Sequence, residues 1–75
     1  MSGVIEKIFF ELQQATDKFG PFNRTHEGYA VIKEELEELW DKIKKNGTRE
    51  DLEEEAIQVA AMTIRFLIDC CGESL

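Results

Sequence analysis

The sequence has no basic face, no membrane-length apolar run and no spaced cysteines. Acids outnumber bases sixteen to nine, for a formal charge of −7. A nucleic-acid module carries a basic surface that displaces counterions, so no nucleic-acid partner is expected. No run approaches the ~18 apolar residues of a bilayer crossing, and no membrane partner is expected either. The only cysteines, Cys70 and Cys71, are adjacent. Neighbouring helical positions point about 100° apart, which places them poorly for bridging one another. With no disulfide framework, a reducing compartment is the simpler reading. Met1–Val4 lacks the basic flank and apolar run of a secretory signal. The expected location is cytoplasmic.

What remains is short and acidic. The 75 residues are expected to form one domain, 1–75. A chain of this size buries only ~60% of its unfolded surface, and its own core supplies ~3–5 kcal/mol. A metal or a partner subunit is a common supplement at this scale.

Three helices are legible. The first is expected from Ser2 to Phe19, where Ile5, Ile8, Leu12, Ala15 and Phe19 keep the spacing of one stripe. Phe9 widens the stripe and Phe10 lies off it. Gly20-Pro21 stops the helix, and Phe22 is expected to fold back onto the core. The second runs from Thr25, read as its N-cap, to about Lys45. Tyr29, Ile32, Leu36, Leu39, Trp40 and Ile43 share one face and are read as a core stripe. Asn46-Gly47 supplies the left-handed stop. Thr48 caps the third helix, with Asp51 completing a capping box, and Gly72 ends it. From Ala56 to Cys71 only Gln58, Thr63, Arg65 and Asp69 are not apolar. A helix so apolar must be covered on more than one side. The expected architecture is therefore all-α: a three-helix protomer in an oligomeric bundle, with the third helix at or near the subunit interface.

The acids are clustered. Glu34, Glu35 and Glu38 lie within one turn of the second helix, beside Leu39. Residues three apart on a helix are neighbours, so Glu35 and Glu38 share a face. Glu55 and Gln58 repeat that spacing on the third helix, beside Val59. A short Asn46-Gly47 turn would bring the two faces together. Mg²⁺ and Mn²⁺ take hard oxygen ligands in octahedral geometry, and carboxylates on two rigid helices can supply them. Without a cation such carboxylates repel and raise one another's pKa.

Glu34-Glu35-Leu36-Glu37-Glu38 resembles the EExxE motif of the MazG-like all-α nucleotide pyrophosphohydrolases. Glu55-Ala56-Ile57-Gln58 stands where that family carries ExxD, and Val59–Met62 continues similarly. The resemblance covers roughly Thr25 to Asp69. It implies a single MazG-like helical domain that cleaves nucleoside triphosphates to monophosphate and pyrophosphate with Mg²⁺, Mn²⁺ being the alternative ion. It implies a homodimer or homotetramer. By position, Glu35, Glu38 and Glu55 would be metal ligands, with Gln58 in the fourth place. Glu34 and Glu35 would be the catalytic pair, Glu34 as a ligand or as the group that orients the attacking water. The departure is Gln58, which is neutral where the family has Asp, although its carbonyl oxygen remains a possible ligand.

That departure keeps a second reading open: a non-catalytic helical oligomerisation or adaptor protein of the same fold. A purely regulatory metal or nucleotide binder is intermediate. The bland alternatives are that Glu34–Glu38 is a solvated face with Glu38 paired to Lys42, and that Glu50–Glu54 complements the helix dipole. His26, Arg24 and Lys33 read as surface residues, and Tyr29 and Trp40 as packing. Cys70 and Cys71 lack the basic neighbours of a nucleophile.

Overall fold

A computed structural model describes residues 3–75. It contains α1 (Val4–Phe19), α2 (Thr25–Lys44) and α3 (Arg49–Cys71), and no strand among the described residues. The all-α expectation holds. The expected helix start at Ser2 lies outside the described residues. No described helix is long and apolar enough to cross a membrane.

The helix ends follow local chemistry. Gly20 ends α1 at φ 71°, a left-handed angle that side chains disfavour. The stop of α2 is Asn46, at φ 55°, while the Gly47 N–H returns to the Lys42 carbonyl at 2.8 Å. The capping box of α3 forms as expected. Asp51 N–H donates to Thr48 Oγ1 at 3.1 Å, and Thr48 N–H donates to Asp51 Oδ2 at 3.2 Å. The start of α2 differs from expectation. Thr25 is already helical, and the cap position falls on Arg24, whose side chain accepts no bond. Glu27 serves the exposed amides instead, taking the Asn23 N–H at 2.8 Å.

The third helix is the centre. Both α1 and α2 pack on it, and not on each other. Leu12, Phe22, Ala61 and Met62 form the buried cluster, with Ile8, Ala15, Val31, Ile32, Ile64 and Phe66 against it. Phe22 folds back as expected. Gly28 permits the close approach of α2 to α3, since a Cβ there would lie 2.6 Å from the Phe66 ring. The α1–α2 loop is tied to α3 twice: Arg65 Nη2 donates to the Gly20 carbonyl at 2.6 Å, and Phe22 N–H donates to Asp69 at 2.9 Å.

Two expectations about apolar faces are corrected. Tyr29, Leu36, Trp40 and Ile43 do share a face, but they point outward, with Trp40 56% exposed. The face of α2 that packs on the core carries Val31 and Ile32, with Leu39 half-buried at its edge. The uncovered apolar surface also lies elsewhere than expected. Of α3 only Leu67 is a large exposed apolar residue, whereas α1 exposes Val4, Ile5, Phe9, Phe10 and Phe19. Flanking helices cover α3 on two sides, so the surplus moves to their own outer faces. The radius of gyration, 12.7 Å, exceeds the ~11 Å of a compact chain this long, in keeping with this open arrangement.

Candidate metal centre

The short turn at Asn46-Gly47 makes α2 and α3 an antiparallel pair. Glu35 and Glu38 project from one helix toward Glu55 on the other. One carboxylate oxygen from each lies within 4.8 Å of the others. Glu35 and Glu55 are half-buried and Glu38 is exposed. An octahedral ion with ligands at ~2.1 Å separates neighbouring oxygens by ~3.0 Å and opposite ones by ~4.2 Å, so the three side chains can hold Mg²⁺ or Mn²⁺ once they draw together by about an ångström or two. Three carboxylates are also the hard donor set those ions take.

The electrostatics record crowding. Burial, first, then a hydrogen bond to Glu38 and the charges of Glu38, Glu55 and Glu34 push Glu35 up to about 7. Glu55 is raised by burial and then by Glu38, an effect Lys42 opposes. Lys42 shares a small surface hollow with Glu38 and Glu55, but no ion pair between Glu38 and Lys42 forms. The pairs along α2 are Lys33–Glu37 at 3.8 Å and Lys44–Asp41 at 3.4 Å. Repulsion between like carboxylates is thus only partly relieved by the protein itself.

Glu34 is exposed and stands outside the trio. It lines, with Glu35 and Gln58, a cleft of about 420 Å³ that runs to Arg65. Gln58 is half-buried and turned toward α1, its Nε2 donating to Glu11 Oε2 at 2.7 Å. The place where the resemblance would have an aspartate therefore holds a neutral amide that engages a carboxylate from the first helix. Asp69 is committed to the Phe22 amide. His26, Arg24 and Lys33 are exposed, as expected. Burial raises the Cys70 thiol above its usual range, with Cys71 and Asp69 adding to the effect, which is opposite to nucleophile activation.

Two residues escaped the sequence reading. Glu11 bears no local mark, because its partner is 47 positions away. Arg65 had one: Ile57, Ala61 and Arg65 follow at intervals of four along α3, and all three are buried. A base on a buried stripe is the signal. A larger groove, about 620 Å³, lies between α1 and the first turns of α3, lined by Glu6, Glu11, Glu50, Glu53 and Glu54 with Lys7. Lys7 pairs there with Glu53.

With the geometry in place, the class is an all-α protein with a carboxylate trio shared by two antiparallel helices. No family model, curated protein or solved structure matches the chain. The MazG-like resemblance accordingly rests on the two sequence motifs alone.

Proposed function

We propose that the protein is a MazG-like nucleoside triphosphate pyrophosphohydrolase that requires Mg²⁺, with Mn²⁺ as the alternative ion. One observation carries this reading: Glu35, Glu38 and Glu55 bring their oxygens within 4.8 Å across two helices, at the edge of a cleft of ligand size. The metal supplies charge neutralisation for the triphosphate and a lowered pKa for water. Glu35, Glu38 and Glu55 hold it. Glu34, exposed beside Glu35, orients the attacking water and accepts its proton. Gln58, whose amide is engaged by Glu11, stands in sequence where the family has Asp and offers a neutral carbonyl oxygen in place of a carboxylate.

The reading includes self-association into a homodimer or homotetramer. Leu36, Leu39, Trp40 and Ile43, with Glu37, line a largely apolar groove of about 410 Å³ on the outer face of α2, and α1 exposes a second apolar face. Soluble monomers rarely leave such surface uncovered.

The test is pyrophosphate release from a panel of nucleoside triphosphates with Mg²⁺, by the parent, Glu38→Gln and Gln58→Asp. The parent should release pyrophosphate and Glu38→Gln should not. The second reading, a non-catalytic relative, is favoured by the engagement of Gln58 with Glu11. It predicts that the parent is inactive, and that Gln58→Asp gains metal affinity. If neither the parent nor Gln58→Asp acts on any triphosphate, the enzyme assignment fails.

A further inference from the structure

Arg65 is 4% exposed, yet among the described residues no carboxylate pairs with it. Its guanidinium lies 4.1 Å from the centre of the Phe22 ring. Nη2 donates to the Gly20 carbonyl, and Nη1 meets only the Met62 sulfur, at 3.3 Å. Nε is buried with no hydrogen-bond partner among the described residues. Arginine carries five N–H donors and stays charged. A buried donor left without an acceptor costs about 1–3 kcal/mol. The loop clamp explains Nη2. It leaves Nε unexplained.

Arg65 also borders the cleft whose other end is lined by Glu34 and Glu35. Between these ends the walls are apolar: Phe19, Phe22, Val31 and Met62. Gln58 and Arg65 are seven residues apart on one helix, about 10 Å at 1.5 Å per residue. A ligand whose phosphates meet the carboxylate end therefore brings its base to the arginine end. Glu27, which takes the Asn23 amide at the loop end, lines the cleft as well. It disfavours a bare phosphate beside Arg65 and offers an acceptor to base N–H groups. A flat ring suits the apolar walls, and a donor-only guanidinium suits a ring edge with adjacent acceptors. Guanine has such an edge in O6 and N7, and arginine is its commonest specific partner. Adenine replaces one of those acceptors with an amino donor.

We propose that the cleft between the α1–α2 loop and α3 is a base-binding site in which Arg65 reads the acceptor edge of guanine. The inference rests on the pyrophosphohydrolase reading for the orientation of the nucleotide, but its test does not. Arg24, Arg49 and Arg65 are the only arginines, so a ¹⁵N-labelled sample shows three Nε–H signals. Arg65→Lys removes and thereby assigns one of them, and if that variant does not fold, through-bond correlations to α3 assign it instead. The labelled parent is titrated without metal with guanosine monophosphate, adenosine monophosphate and inorganic phosphate. The Arg65 Nε–H signal should shift and saturate with the guanine nucleotide at a concentration about fivefold or more below that for adenine. Phe19→Ala, which removes an exposed wall of the cleft, should weaken the guanine response several-fold with the Arg65 clamp intact. Equal responses to the two nucleotides overturn the base reading. A response to inorganic phosphate as strong as to guanosine monophosphate makes the site a phosphate subsite instead. No response to any of the three leaves Arg65 a loop clamp only and ends the proposal. Because no turnover is read, a protein that releases no pyrophosphate can still pass this test, and an active one can fail it.

Discussion

Two regions of the α2–α3 pair bury charge in different ways. Midway along the two helices, three carboxylates of the same sign crowd within 4.8 Å. Near the α1–α2 loop, a single guanidinium is buried without a counterion among the described residues. The carboxylates have an escape, since Glu35 keeps a proton up to about pH 7. Arginine has none, because it does not deprotonate in proteins. Its charge is met by an aromatic face and a carbonyl. One region therefore responds to pH and the other does not, although both stand on the same two helices.

The comparison breaks most severely if the shared core is opened. Leu12 is buried against Phe22, Ala61 and Met62. Leu12→Ala should cost about 2–5 kcal/mol in urea unfolding. Fluorescence of Trp40 and far-ultraviolet circular dichroism should report one coincident transition. Two separated transitions would show that the two regions are held independently.

A smaller change sharpens the arginine region. In Gly28→Ala the new methyl forces Phe66, and with it the Phe22 ring, to move. Overpacking of this kind costs about 1–3 kcal/mol, offset by up to about 1 kcal/mol of helix propensity. The variant should melt a few degrees lower. Its response to Mn²⁺ in calorimetry should match the parent's, because the carboxylates lie two turns away on α2.

The effect expected at the carboxylate cluster carries a sign. The folded pKa of Glu35, about 7, lies above the ordinary 4.5. The folded state therefore binds the extra proton between those values, and metal-free stability falls as pH rises from about 4.5 to about 7, then levels. Glu35→Gln should remove this slope. Discounted for the group's partial exposure, the gain at pH 8 is about 1 kcal/mol, or ~4–8 °C in melting temperature. A melting temperature that rises with pH over that window in the parent would contradict the crowding.

Much of this was legible in the residues. Helix ends were readable because caps and left-handed stops are local: Thr48 with Asp51, Gly20, Asn46, Gly72. The trio was readable because a three-residue spacing on two helices and a short turn nearly determine the meeting of Glu35, Glu38 and Glu55. The outward face of α2 was not. Periodicity groups Tyr29, Leu36, Trp40 and Ile43 on one side, but it does not say whether this side or the neighbouring one, with Val31 and Ile32, meets α3. The engagement of Gln58 by Glu11 and of Gly20 by Arg65 spans 45 residues or more, and nothing in a local pattern specifies a partner that distant.

The raised pKa of Glu35, about 7, has a consequence for charge accounting. Near neutrality Glu35 still carries part of a hydron, so the cluster is partly neutralised and the formal −7 overstates the chain's anionic character. A divalent ion entering the trio would evict that hydron. The net charge would then rise by less than two, and acid would be liberated into the solvent. Calorimetric heats of loading would accordingly vary with the ionisation enthalpy of the buffer, and electrophoretic mobility would change less than the ion's own charge implies.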